Sequence, residues 1–210
     1  MPADERPEPE HLLAEARAQQ NEGLGKLLDC YRNYLHLVAR TQIDLHLQGR
    51  LDASDLVQET YLDACRDFGH FRGSSERELL AWLRQILVCN IARAVRTQVG
   101  TQKRDARRDI SLERQMAALE ESSARLEAAL ASPHSSPSMQ AQKRERANLI
   151  ADQLARLPAD YREVIVLRNF EGLAFAEVAK RLGRSCGAVR ILWVRAIDQL
   201  RRLLEEDQFT

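Results

Sequence analysis

Apolar residues recur along this chain at three- and four-residue intervals, the period of a helix that buries one side. From Leu24 to Leu47 the residues Leu24, Leu27, Leu28, Tyr31, Leu35 and Val38 form one such stripe, and Gly49 closes the segment. Asp52 is placed to cap the next helix, with Asp55 adding negative charge to its first turn. That helix carries Leu56, Val57, Thr60, Tyr61, Ala64, Cys65 and Phe68 on one broad side, before Gly69 and the run Phe71-Arg72-Gly73-Ser74-Ser75 break it. A third helix from Glu76 is expected to bury Leu79, Leu80, Leu83, Ile86, Leu87, Ile91 and Val95. Three helices with wide apolar stripes suffice for one compact domain.

The chain then turns basic at Arg93, Arg96, Lys103, Arg104, Arg107 and Arg108, against Asp105 and Asp109. Leu112, Met116, Leu119, Leu126 and Leu130 keep helical spacing, which suggests a linker helix. Ser132, Pro133, His134, Ser135, Ser136, Pro137 and Ser138 cannot bury apolar area and mark the clearest domain boundary. A second helical set follows. Its helices run from Gln140 to Arg156, ended by Pro158, and from Asp160 to Phe170, with Gly172 just beyond. A short helix, Phe175 to Leu182, buries Phe175, Val178, Ala179 and Leu182. Gly183 turns the chain into a last helix from Cys186, burying Val189, Trp193, Ala196, Ile197, Leu200 and Leu203. No β-branched or aromatic alternation between turn signals reads as a strand. The expected fold is all-α, two small helical domains joined by a linker.

Composition narrows the function classes. Of 210 residues, Lys+Arg and Asp+Glu each number 31, so any basic surface must be local rather than global. No apolar run approaches the roughly 18–20 residues that span a bilayer. Met1 to Glu10 is acidic and Pro-rich, the opposite of a signal peptide, so the expected location is cytoplasmic. Cys30, Cys65, Cys89 and Cys186 form no CxxC pair, and the first three are expected to be small core residues. His11, His36, His46, His70 and His134 make no metal or nucleophile pattern, so neither an enzyme nor a metal or cofactor protein is expected.

The segment Phe175 to Leu200 reads as a helix–turn–helix, whose second helix lies in the major groove and touches base edges near its N-terminus. With Val189, Trp193, Ala196 and Leu200 inward, Gly187, Arg190, Ile191 and Val194 must face outward together. Gly187 allows close approach, Arg190 can reach a guanine or a phosphate, and Ile191 and Val194 can contact thymine methyls. Ser185 is placed to cap the helix. Two apolar residues on a solvent face fit DNA, and they also fit packing against the linker or a partner protein. Cys186 adds a separate expectation: a helix N-terminus favours the thiolate, so oxidation there would block DNA binding.

The run Asp52-Ala53-Ser54-Asp55-Leu56-Val57-Gln58-Glu59-Thr60-Tyr61-Leu62-Asp63-Ala64, onward to Phe68, resembles the most recognisable helix of sigma-factor domain 2. Leu79-Leu80-Ala81-Trp82-Leu83-Arg84-Gln85-Ile86-Leu87, with Asn90 and Arg93 beyond, resembles the promoter-melting and −10-reading segment of that domain. Leu157-Pro158-Ala159-Asp160-Tyr161-Arg162-Glu163-Val164-Ile165-Val166-Leu167-Arg168 and the helix–turn–helix resemble sigma domain 4. The family resembled is the extracytoplasmic-function sigma factors of the sigma-70 family, from about Leu24 to Leu204. The resemblance implies an N-terminal arm over 1–22, domain 2 over 23–110, a partly helical linker over 111–139, and domain 4 over 140–207.

It also implies three surfaces. Asp55, Gln58, Glu59 and Asp63 would dock the clamp helices of the polymerase β′ subunit, where the bland alternative is an ordinary solvated face. Phe71, Arg72, Trp82, Arg84, Gln85, Asn90 and Arg93 would handle the −10 element, with Trp82 alternatively a core residue. A flipped base needs an apolar or aromatic platform and a basic groove for its backbone. Arg184, Ser185, Cys186, Gly187, Arg190, Ile191 and Val194 would read the −35 element. The implied partners are core RNA polymerase, through the β′ clamp and β flap, and promoter DNA; an anti-sigma factor is also admitted. The chain departs from the family at Ala174, where Ser or Thr usually begins the helix, at Ile191 and Val194, which replace polar residues, and in its long linker. The competing readings are a stand-alone helix–turn–helix regulator, which would bind its operator without polymerase, and a structural adaptor lacking DNA contact.

Overall fold

A computed structural model describes residues 9–18, 22–43, 51–99 and 142–207. The chain divides into two compact units, Met1–Gln115 and Met116–Thr210. Every element among the described residues is helical. The expected linker helix, the Ser/Pro boundary, Gly49 and the basic residues beyond Val99 lie outside them.

The first unit holds α1 (Pro9–Ala18), α2 (Glu22–Asp29), α3 (Arg32–Gln42), α4 (Ala53–Asp67) and α5 (Glu76–Val99). The N-terminal arm therefore contains a helix, whose Leu12, Leu13 and Ala16 are buried. The single stripe expected from Leu24 to Leu47 is broken into α2 and α3 at Cys30–Tyr31. Tyr31 is fully buried and its hydroxyl donates to Glu76 Oε1 at 3.1 Å. Its backbone N–H bonds to Leu28 O in a tight turn, and the same carbonyl also accepts the Tyr61 hydroxyl at 2.7 Å. Burial pushes the Tyr61 phenol well above its ordinary range. The apolar period runs through this break because both helices face one core.

α4 begins as expected, with the Asp52 carboxylate accepting from Ser54 N at 2.8 Å. It packs on α3 and α5. Leu56, Val57, Thr60, Ala64 and Phe68 meet Leu79, Leu80, Leu83, Leu87 and Ile91 in the buried interior, while Ile86 and Val95 are only half-buried. The cysteine expectation fails. Cys65 and Cys89 are exposed because each falls beside its helix's apolar stripe, and Cys30 is half-buried in the turn between α2 and α3.

The second unit contains α6 (Gln142–Arg156), α7 (Ala159–Ile165), α8 (Phe175–Leu182) and α9 (Cys186–Glu206). α7 runs on into a π-helical turn over Val166–Phe170, an inserted residue that the apolar spacing did not reveal. Gly172 and Gly183 adopt positive φ, 72° and 61°, where a side chain would be strained. α9 packs on α6, α7 and α8. Val189, Ala196, Ile197 and Leu200 are buried, with Trp193, Leu203, Phe175 and Leu182 half-buried around them.

α8 is only half-capped. Glu177 Oε2 accepts from Ala174 N at 3.0 Å, but the alanine methyl returns nothing to the first turn. Ala174→Ser is expected to complete the exchange and stabilise α8 by roughly 0.5–2 kcal/mol. Slower amide hydrogen exchange across Glu177–Leu182 is the readout, and unchanged exchange would move the start of this helix elsewhere.

Candidate polymerase-docking and nucleic-acid surfaces

Burying one side of α4 turns the other outward. Asp55 and Gln58 are exposed, and Glu59 is half-buried beside them. Asp63 sits further round, with only 15% of its side chain exposed, between Arg66 Nη1 at 2.8 Å and Arg93 Nη1 at 3.7 Å. Arg93 also donates to Glu59 at 3.1 Å. An expected −10 contact is thus joined to two expected polymerase contacts. Leu62, 66% exposed, lies one turn beyond Gln58 and Glu59 on the same face. Sequence reasoning passed over it, although its position opposite Thr60 and Ala64 was readable. An exposed apolar side chain with polar neighbours, here Gln58, Glu59 and Arg66, fits the anatomy of a protein-binding patch.

The second surface centres on aromatic rings. Phe71 and Trp82 stand 5.0 Å apart between centroids, both half-buried, and Phe68 backs them from the core at 6.1 and 6.3 Å. Trp82 is therefore neither wholly core nor free. Gln85 and Arg93 are exposed further along α5, with Cys89 between them at helical spacing. Arg72 is exposed and donates to Gly69 O at 3.1 Å. Two members of the expected set lie elsewhere. Asn90 is fully buried and donates to Thr60 Oγ1 at 3.4 Å, tying α5 to α4. Arg84 is buried too, its guanidinium 4.9 Å over the Tyr34 ring. Both occupy the inner side of α5, away from the exposed Gln85 and Arg93. The sequence offered no sign of this beyond the fact that their spacing matches Leu83 and Leu87.

Glu78 orders the loop that carries Phe71. Its carboxylate accepts from Ser74 N at 2.7 Å, Ser75 N at 3.1 Å and Ser75 Oγ at 2.9 Å. These bonds, the Ser74 amide first, hold its carboxyl below the usual range.

The third surface is the outer side of α9. Ser185 Oγ accepts from Ala188 N at 3.2 Å, capping the helix as expected. Gly187 and Arg190 are exposed, as are Ile191 at 57% and Val194 at 59%. Cys186 is half-buried in the first turn, and Arg184 pairs with Asp160. Phe175 locks α8 to α9: it meets Trp193 edge-on at 5.8 Å and lies under Arg168 at 4.9 Å and Arg190 at 5.8 Å. Trp193 Nε1 donates to Asn169 Oδ1 at 2.9 Å, a partner in the π turn. Among the described residues no group of three or more His, Cys, Asp or Glu could hold a metal. No helix there is long and apolar enough to cross a membrane.

Both units match known families. Residues 27–101 match Sigma-70 region 2, and residues 147–200 match Sigma-70, region 4. The chain belongs to the extracytoplasmic-function sigma factors of the sigma-70 family, which serve transcription initiation. It is 28% identical over 199 residues to the ECF RNA polymerase sigma factor BldN of Streptomyces coelicolor, covering 93% of this chain and 66% of that protein. It is 32% identical over 155 residues to the RNA polymerase sigma factor CarQ of Myxococcus xanthus, covering 73% of this chain and 75% of that protein. The solved structure of CnrH in complex with the cytosolic domain of CnrY aligns with 95% of this chain and 98% of that one, at 24% identity and a TM-score of 0.34.

The Glu78 clamp has a pH signature. Because its folded carboxyl titrates below the unfolded one, its stabilisation is complete above the ordinary glutamate value of ~4.3 and is lost as pH falls through the lower folded value. Protection of the Ser74 and Ser75 amides should therefore fall away only in acid, whereas Glu78→Gln should expose them already at neutral pH. Equal protection in the variant would remove the carboxylate from this role.

Proposed function

We propose that this chain carries core RNA polymerase to promoters through the three surfaces described, working in the cytoplasm without covalent chemistry. Asp55, Gln58, Glu59 and Asp63, together with Leu62, dock the β′ clamp helices. Phe71 and Trp82 stack an unpaired −10 base, while Arg72, Gln85 and Arg93 meet the strand around it. Arg184, Ser185 and the outer side of α9 from Cys186 to Val194 read the −35 duplex, and the second unit rests on the β flap.

The observation that carries the reading is the exposed Leu62 beside Gln58 and Glu59, on the very helix that resembles the polymerase-binding element. The groove-reading assignment is supported by the capped start of α9 and by Ile191 and Val194 standing in solvent. Aliphatic tips suit thymine methyls, so the −35 element is expected to present thymines there. Splitting recognition over two units lets individually weak contacts act together once polymerase holds the first.

Two measurements test this. The purified chain should bind promoter duplex weakly alone and tightly with core polymerase; Glu59→Lys combined with Leu62→Ala should weaken core binding about tenfold or more with helix content unchanged. Undiminished recruitment would sink the assignment, and tight binding without core would favour the stand-alone regulator. Replacing thymine by uracil at a contacted −35 position removes one methyl and should cost about fourfold in holoenzyme affinity. Indifference at every thymine would take Ile191 and Val194 off the DNA.

A further inference from the structure

Helix α1 belongs to none of the three surfaces, yet it is firmly seated. Leu12, Leu13 and Ala16 are buried against the rest of the first unit, chiefly α2. Gly23 permits this contact: a Cβ there would stand 2.9 Å from Ala16 N, closer than side chains come. From the last turn of α1 the exposed Arg17 crosses to the loop beyond α4, where its Nη2 donates to the carbonyl oxygen of Gly73.

Gly73 is the floor of that loop. A Cβ at this position would lie 2.5 Å from Phe71 Cζ and 2.7 Å from Glu78 Cβ, so ring, backbone and helix α5 meet here without a side chain between them. On the following residues Glu78 holds the Ser74 and Ser75 amides. The loop is thus fixed by a guanidinium at Gly73 and a carboxylate just after it. Phe71, whose ring rests on the fixed stretch, takes its place over Trp82 as a result. A hydrogen bond from a charged donor is stronger than a neutral one, and ordering a loop before its ligand arrives removes that cost from binding.

We propose that Arg17 is a positioning residue for base capture: anchored through α1, it holds the Gly73 backbone and so sets the Phe71–Trp82 face on which the unpaired −10 base stacks. The inference rests on the role proposed above for that face. Arg17 acts on DNA only through the loop, and α1 is the strut that carries it.

The test uses the full chain assembled with core polymerase on fork-junction promoter DNA, with an abasic site moved through the unpaired −10 strand. For the unaltered chain, one position should respond, losing about tenfold in affinity when its base is absent. Arg17→Ala should lose a similar factor on intact DNA and little more at the abasic position, with core affinity unchanged. Arg17→Lys, which keeps a charged donor but not the planar fork, should fall between. Gly73→Ala, which displaces the Phe71 ring directly, should reproduce the loss, and the double variant should be no worse than the poorer single. Arg17→Ala that retains the full abasic response, or that weakens core binding and every template alike, overturns the inference. An unaltered chain indifferent to all abasic positions overturns the base-capture reading itself, and this inference with it.

Discussion

Leu56, Val57, Thr60 and Ala64 line the inner side of α4, and burying them against α3 and α5 leaves that helix one rotation about its axis. Facing them across the seam, Leu79, Leu83, Leu87 and Ile91 fix α5 in the same way. Exposing even one of these leucines would cost roughly 1.5–3 kcal/mol, against about 0–1 kcal/mol for a surface ion pair such as Arg66–Asp63. The core decides, and the surfaces follow. With α4 so turned, Asp55, Gln58, Glu59 and Leu62 can only point outward. With α5 so turned, Trp82, Gln85, Cys89 and Arg93 share the outer side. The Asn90–Thr60 hydrogen bond adds register to a seam that apolar contact alone would hold less specifically.

The second unit reaches the same end by a different route. Its last helix, α9, is oriented by a polar and aromatic lock, Phe175 against Trp193 and Trp193 to Asn169, as well as by Val189, Ala196 and Leu200. The π turn matters to this lock because it carries Asn169 and Phe170, both buried, at the point where α7 gives way to the loop before α8. Arg190 is drawn over Phe175 while still exposed, which leaves Ile191 and Val194 as the prominent groups of the outer face.

Much of this was legible in the amino-acid order. The helix beginning at Asp52, the helix–turn–helix and its outward quartet all follow from a 3.6-residue period and cap chemistry, both local properties. What escaped were features set by tertiary contact. The break at Cys30–Tyr31 is invisible to a stripe that stays in phase across it. The interior position of Arg84 and Asn90 conflicts with their polarity and is set by the seam they share with Leu83 and Leu87. Cys65 and Cys89 look like core residues by type, yet fall on outer faces by position. The partnership of Arg17 with Gly73 spans 56 positions, and no local pattern encodes it.

The 31 cationic and 31 anionic residues sum to no net charge, and among the described residues several of them meet at short range. Arg32 with Asp29, Arg66 with Asp63, Arg93 with Glu59, Arg181 with Glu171, Arg184 with Asp160 and Arg202 with Asp198 each cancel within one contact. Fields built from such dipoles die away faster than those of isolated charges, and salt trims what is left beyond ~8–10 Å. A molecule of this kind exerts little pull on a distant polyanion. With no net charge the chain as a whole has no steering field of its own, so attraction over distance has to come from a local patch or from a partner.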